Sequence, residues 1–482
     1  MTADGPVPDK KAAAALGASL RKARYSEDAI LELLGEEAYS HDRDDLPVDE
    51  RRLPKTHLAT LVRALFLQVP VSTADAVAAL GRRGVDALAA TGLADVGDDL
   101  LVRRRVIPVG ELLVASDDNP NEGEDPPDFV AAYTSTSRLC DCLTPRSRVK
   151  SALDVGTGSG VQALLAARHA RRVVATDINP RALAYTELNA ALNGFTNIEV
   201  RRGSFFEAAA GERFDLITCN APYVVSPESR WAYRDSGLRG DEVSERVIRA
   251  AADHLAEGGF ATLLVSWVGT DEDGADERPL RWAKSLAGCD SWILSVWEED
   301  PLGHAETWNK QFVGKPAEMG EALDTWTAYL NEIGAGWVSE GAYLMHRRPG
   351  RRHSARVDGI DDEGLDAAGG QVRRAFASRE RLASFKKADD LLGERLALAM
   401  KIQVERELAP RRTGNAVSAA GIQLLEGTNS FIEAPHGAIE IVESLDGSAS
   451  LRKVLRSATP SVRRDTVRLA RDLLELGALK FA

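Results

Sequence analysis

From Val149 onward, short apolar runs alternate with stretches in which apolar residues recur every third or fourth position. The runs SALDVG, RRVVATD, IEVRRG, FDLITCN and GFATLLVSWV read as strands, and helices are predicted through Leu164 and His169, through Leu183 and Leu192, and over 241–256. Such alternation argues for an α/β domain, a mostly parallel sheet covered on both faces. The later runs SWILSVWEED and AYLMHRR, joined by a helical stretch around 321–333, are expected to close the sheet as an antiparallel pair.

The two ends follow a different pattern. Residues 9–109 show helical spacing (Leu16, Leu20; Ile30, Leu33, Leu34; Leu58, Leu61, Val62, Leu65) and finish in LAATGLADVGDDLLVRRRVIPV, a helix, a Gly-Leu stop and a paired apolar stretch that suit a winged-helix-like module. The run DDNPNEGEDPPD at 117–128 reads as a linker or exposed loop. After Arg347 the chain is rich in Arg, Asp and Gly to about residue 370, and a helix is predicted over 371–408. The C-terminus again suggests helices, a Gly and a short strand, a second winged-helix-like module. The expected domains are 1–126, 127–346 and 347–482.

Composition narrows the function classes. A chain of 482 residues is too long for one ordinary core, and 44% hydrophobic with 28% charged residues is the balance of a soluble globular protein. The net charge of −13 comes from the first two thirds, since the C-terminal third is slightly basic; an acidic whole attracts nucleic acid poorly over distance, though a local basic surface still holds phosphates. No apolar run is long enough to span a bilayer, and MTADGPVPDKK lacks the basic-then-apolar order of a secretion signal, so no membrane partner and a cytoplasmic location are expected. Cys140, Cys142, Cys219 and Cys289 form no CxxC pair and have no His at ligand spacing, which indicates neither a disulfide frame nor a metal site.

The chemistry concentrates in two stretches. In SALDVGTGSGV a strand meets a helix through Gly156, Gly158 and Gly160, residues that accept positive φ and let a ligand approach the backbone. The spacing is G-x-G-x-G, with Asp154 two residues ahead of it, not the dinucleotide fingerprint G-x-G-x-x-G. The next strand ends at Asp177, where an acid can accept hydrogen bonds from both ribose hydroxyls of an adenosine ligand. Further on, DLITCNAPYVV puts Asn220, Pro222 and Tyr223 at the mouth of the fourth strand. A neutral carboxamide oxygen there can hold one N–H of a planar amide or amine, a neighbouring carbonyl the other, and an aromatic face can stack on the acceptor; Pro222 keeps Ala221 extended. An ordinary Asn-x-Pro turn is the plainer alternative.

DVGTGSG, the Thr-Asp at 176–177 and the Asn-x-Pro-Tyr at 220–223 together resemble the class I S-adenosyl-L-methionine-dependent methyltransferases. The branch is the one with an Asn-Pro-Pro-Tyr/Phe signature, which includes release-factor glutamine and ribosomal RNA adenine and guanine N-methyltransferases. The resemblance covers about 127–346 and implies a Rossmann-like domain flanked by the two helical modules. By position it implies that Gly156, Thr157, Gly158 and Gly160 border the methionine part of the cofactor, with Asp154 fixing the loop and the cofactor's amino group. It places Asp177 at the ribose and Ser204 and Phe205 of RRGSFFE near the adenine, although the family often has Asp where Ser204 stands, and it counts Ile178 and Asn220 among the cofactor contacts. Asn220, Pro222 and Tyr223 would orient the acceptor nitrogen. Ala221 stands where the signature has its first proline, so the loop regains an N–H and a free φ.

The expected activity is methylation of a planar amide or amine nitrogen in a macromolecular substrate, a protein or peptide on one reading, ribosomal or transfer RNA on another. A peptide-modifying enzyme of specialised metabolism and a cofactor-binding scaffold without turnover stay open. Secondary candidates are 128–143, placed to cover the cofactor with Thr134 to Thr136 as a cap; 233–242, beside the acceptor pocket; Trp297 and Trp308 as a substrate rim; and the basic runs 103–105 and 347–352 as phosphate contacts.

Overall fold

The computed structural model describes residues 5–41, 44–117, 126–220, 222–228, 234, 237–270, 274–350, 353–410 and 415–482. Its centre is an eight-stranded sheet whose strands are numbered here in chain order: β1 Val149–Val155, β2 Ala170–Asp177, β3 Ile198–Arg202, β4 Phe214–Cys219, β5 Leu255–Gly269, β6 Cys289–Glu299, β7 Trp337–Arg347 and β8 Ala355–Gly359. Across the sheet the order is β3-β2-β1-β4-β5-β7-β6-β8. Only β7 runs antiparallel, against both β5 and β6. Leu153, Val155, Leu216, Ile217 and Cys219 are all but inaccessible, as strands covered on both faces require. β1 leads outward to β2 and β3 on one side and β4 leads outward on the other, so the winding reverses between β1 and β4. Their carboxyl ends form the crevice where open α/β sheets bind ligands.

The five alternating strands and the antiparallel closing pair stand where the sequence pattern places them. Two C-terminal features differ. β8 pairs parallel with β6 and carries the sheet past the boundary expected at 346. The helix expected over 371–408 ends at Ser384. Beyond it lie a short turn, β9 Arg395–Leu398 and β10 Ile402–Pro410, the latter paired with β11 Asn415–Leu424 and through it with β12 Phe431–Glu433. The cause is local. Asp390 accepts the N–H groups of Lys386 and Lys387 and stops the helical path, and the half-buried Ile402 and Val404 then alternate with Gln403 and Glu405 in the period of a strand.

The flanking regions are built onto the sheet. Helix Lys10–Lys22 lies so close to helix Pro180–Leu192 that a Cβ on Gly17 would stand 2.0 Å from the Leu192 carbonyl. Asn189 and Asn193, one turn apart on that second helix, pair with the backbone N–H and C=O groups of Ala115 and Leu113. Leu16, Leu20 and Val114 therefore share one core with Leu164 and Leu188. At the other end Arg379, from helix Gly369–Ser384, is buried with its guanidinium 4.8 Å from the Trp292 ring of β6.

A bulge between Ser295 and Trp297 shifts the β6–β7 register where the two backbones come closest. A Cβ on Gly341 would lie 2.0 Å from the Leu294 carbonyl oxygen. Gly341→Ala is therefore expected to lower stability by about 3 kcal/mol, read as a fall in thermal midpoint; an unchanged midpoint would show that the close approach relaxes freely.

Candidate active site

The glycine loop leaves β1 with Gly156, Gly158 and Gly160 all at positive φ (+65°, +57° and +88°). A Cβ on Gly160 would meet Thr186 at 3.0 Å, so this glycine serves packing, whereas the Cα of Gly158 faces open space. Asp154, 2% exposed, anchors the loop from beneath: its carboxylate accepts from Thr157 Oγ1 (2.7 Å), Ala163 N (3.1 Å) and Thr218 Oγ1 (2.9 Å). Burial pushes its carboxyl up to about 6. A carboxylate so enclosed fixes the loop, the first of the two roles expected of Asp154.

Asp177, at the end of β2, accepts from Gly158 N (3.0 Å) and Asn179 N (2.9 Å), which ties the loop to the acid. Gly203 donates to the Asp177 carbonyl at 3.1 Å and brings Ser204 and Phe205 beside it. Ile178 is 59% exposed next to this turn, and Phe205 is held at φ +45°. A bulky residue at left-handed φ is a rare, strained conformation of the kind found at ligand clamps. Ile178, Ser204 and Phe205 thus all lie near the carboxyl end of β2. The open backbone at Gly158, the acid at the strand end and this apolar edge suit an adenosine-bearing cofactor.

Asn220 follows β4 directly. Its Nδ2 donates to Thr136 Oγ1 at 3.3 Å, and its Oδ1 has no protein partner among the described residues. Thr134 caps helix Ser135–Leu143 by accepting the Ser137 N–H, so the cap expected there is present. Tyr223 departs from its expected role as an open stacking platform. It is 7% exposed, packed with Leu139, Cys140 and Leu264, and its carbonyl is taken by Ser266 Oγ; burial holds its hydroxyl well above the usual phenol range. The backbone of Tyr223 is pinned and only the rim of its ring remains available. Ala221 lies outside the described residues, as do 118–125, Trp231, most of 233–236, Arg351 and Arg352.

Residues 134–267 match the family model described as methyltransferase small domain. The segment is a class I methyltransferase domain. A second model, a domain of unknown function (DUF7059), matches residues 22–105. The chain is 34% identical over 139 residues to the release factor glutamine methyltransferase of Xylella fastidiosa, covering 26% of this chain and 49% of that protein. It is 34% identical over 151 residues to the ribosomal protein uL3 glutamine methyltransferase of Bradyrhizobium diazoefficiens, covering 28% and 46%. The chain therefore spans just under half the length of these relatives. S-adenosyl-L-methionine is the cofactor these similarities indicate.

The segment 128–143, expected as a cover, reaches the crevice at three points: the Asp128 carbonyl accepts from Asn179 Nδ2, the Ala132 carbonyl from Ser159 Oγ, and Thr136, in the first turn of helix Ser135–Leu143, meets Asn220. Other parts of the domain escaped the sequence reading. On the acceptor side, helix Pro301–Thr307 supplies His304, whose Nε2 donates to the Val225 carbonyl at 3.0 Å and whose Nδ1 stands 3.7 Å from Glu340 of β7. Burial pushes His304 down to about 4 and Glu340 up to about 7. Trp308 is half-buried and donates to Glu340 at 2.8 Å, so it braces the loop after Tyr223, and Trp297 packs against the same cluster as Tyr223. Four of the seven described tryptophans, Trp267, Trp282, Trp292 and Trp326, are core.

Of the described residues in the two basic runs, most are engaged within the fold, and Arg103 forms an exposed pair. Arg103 pairs with Asp95, Arg104 is buried against the Gly92 carbonyl, Arg105 donates to the Phe66 carbonyl, Arg347 to that of Ala252, and Arg348 pairs with the buried Asp290. Among the described residues no cluster of three or more metal-binding side chains occurs, and no helix is long and apolar enough to cross a membrane.

Proposed function

We propose that the protein is an S-adenosyl-L-methionine-dependent N-methyltransferase acting on the side-chain amide of a protein. The observation that carries this reading is Asn220 at the switch point of the sheet, its Nδ2 occupied by Thr136 and its Oδ1 without a partner among the described residues. The bound cofactor supplies an activated methyl group. Gly156, Thr157, Gly158 and Gly160 would hold its methionine part, Asp177 its ribose, and Ile178, Ser204 and Phe205 its adenine.

An amide nitrogen is a poor nucleophile because its lone pair is delocalised into the carbonyl. Asn220 Oδ1 accepts one N–H of the acceptor and the Pro222 carbonyl, without a partner among the described residues, accepts the other; together they turn the nitrogen toward the methyl group. Fixed dipoles of this kind lower the barrier by position and need no strong base. The pinned backbone at Tyr223 and Val225 holds the loop in that geometry.

Protein is favoured over RNA by the similarity to two glutamine methyltransferases and by the engagement of Arg104, Arg105, Arg347 and Arg348 within the fold. The element order Thr73–Leu80, Arg82–Ala90, then Ala94–Val96 and Asp99–Val102 joined to Val71–Ser72 supports a winged-helix-like N-terminal module, and we assign it to holding the substrate. The test incubates the purified protein with methyl-labelled cofactor and cell extract, then digests separately with protease and ribonuclease. Label released by protease alone is expected; label released by ribonuclease alone would refute the reading.

A further inference from the structure

A cavity of about 950 Å³ lies between the outer strand of the methyltransferase sheet and the small sheet β10-β11-β12. Five successive residues, 357 to 361, line it. Side chains of a strand alternate between faces, so the three successive strand residues Val357 to Gly359 meet the cavity along the strand's edge, with Ile360 and Asp361 just beyond its end. β8 pairs with β6 alone, and Ile360 donates to the Ser295 carbonyl at 2.9 Å. By alternation, Val357 and Gly359 turn their N–H and C=O groups away from β6, into the cavity.

The opposite wall is equally ordered. Gln403, Gln423 and Phe431 stand in register across β10, β11 and β12 and all reach the cavity, with Phe431 48% exposed. Glu405, on the same face as Gln403, adds a carboxylate, and Asp276, Glu298, Asp358 and Asp361 add four more; no Lys or Arg lines the space among the described residues. Asp358 is paired with Arg356, whereas burial and the Asp358 charge raise the Asp276 carboxyl above its ordinary range. The carboxylates are spread too widely to close on one metal ion.

We propose that this groove binds an extended, Lys- or Arg-bearing segment of the acceptor protein, which adds to β8 as a ninth strand. Edge-strand addition supplies affinity through main-chain hydrogen bonds, and the walls select alternate side chains, cations toward the carboxylates and an apolar residue against Phe431. The inference rests on the protein-acceptor reading above. β6 and β8 end at the same edge of the sheet as β4, and a strand added outside β8 lies five strand spacings from β4, about 24 Å. An extended chain covers that in roughly seven residues, so the methylated amide is expected about seven residues from the basic stretch.

The test titrates the full chain with a fluorescent peptide alternating Lys with Thr, against its Glu-Thr counterpart and a short single-stranded RNA. The basic peptide is expected to bind about tenfold tighter than the acidic one and to weaken as salt rises. Two variants are expected to weaken it about tenfold with cofactor affinity unchanged: the triple change Glu298→Gln, Asp361→Asn, Glu405→Gln, and Gly359→Pro. The latter removes an outward N–H where the Cα faces open space. Equal binding of the two peptides, wild-type binding by both variants, or displacement of the peptide by the RNA would overturn the groove. Repeating the labelled-extract assay with the variants separates the two ideas. Undiminished protein labelling by the variants defeats only the groove, and ribonuclease-sensitive label from the wild type defeats the acceptor reading itself.

Discussion

Asn220→Ala is expected to reduce methyl transfer at least about a hundredfold while cofactor affinity stays within about twofold of wild type. Among the described residues Asn220 has one hydrogen bond, the donation from Nδ2 to Thr136 at 3.3 Å, and it is only partly buried. Truncation therefore costs the fold little and leaves the glycine loop untouched. What disappears is the open oxygen that orients the acceptor, an interaction worth most where charge shifts during transfer. Asp177→Ala gives the opposite split. Gly158 and Asn179 lose the acceptor of their N–H groups, the loop loosens, and cofactor affinity falls before turnover at saturating cofactor does. Calorimetric titration with the cofactor beside labelled-transfer rates reads both variants. Parallel loss of affinity and turnover in Asn220→Ala would make the residue a structural element of the loop.

The contrast between these two residues and Tyr223 shows what the chain's pattern carries. Gly156, Gly158, Gly160 and Asp177 are local in sequence, their chemistry follows from a strand-to-helix turn, and the structure brings them together as the spacing implies. Asn220 is legible for the same reason, since it ends a buried strand at the switch point. Tyr223 is not, because its environment comes from helix Ser135–Leu143 and from β5, distant segments whose packing no spacing announces. His304 and Glu340 are harder still: each is an isolated polar residue in the sequence, and only the return of helix Pro301–Thr307 across the loop makes them a pair. The β10–β12 sheet is hidden by a run of good helix formers around 380–400, after which the two-residue alternation of IQVE at 402–405 is short and polar.

Asp154 carries the second large effect, and it is a dependence on pH. Its carboxyl is raised to about 6 in the fold, by burial first and against three hydrogen bonds that favour the anion. In the unfolded chain an Asp titrates near 3.9. A raised value means that the native state favours the protonated form. The stabilisation this gives is fully present below about pH 4 and is lost as pH rises through about 6, a change of roughly 3 kcal/mol. Asp154→Asn removes the titration and keeps the contacts: the amide oxygen can accept from Thr157 and Ala163, and the amide NH₂ can donate to the Thr218 hydroxyl. The variant is therefore expected to exceed wild type in thermal stability at pH 8 and to lose that advantage at pH 4.5. The difference between the two proteins at each pH cancels the titration of every other group. A constant difference across the range, or an advantage that grows on acidification, would mean that the anion is fully compensated by its donors. Asp154→Ala, which leaves the Ala163 N–H buried without an acceptor, is expected to be less stable at both pH values, and that loss marks the carboxylate as the anchor on which the glycine loop is built.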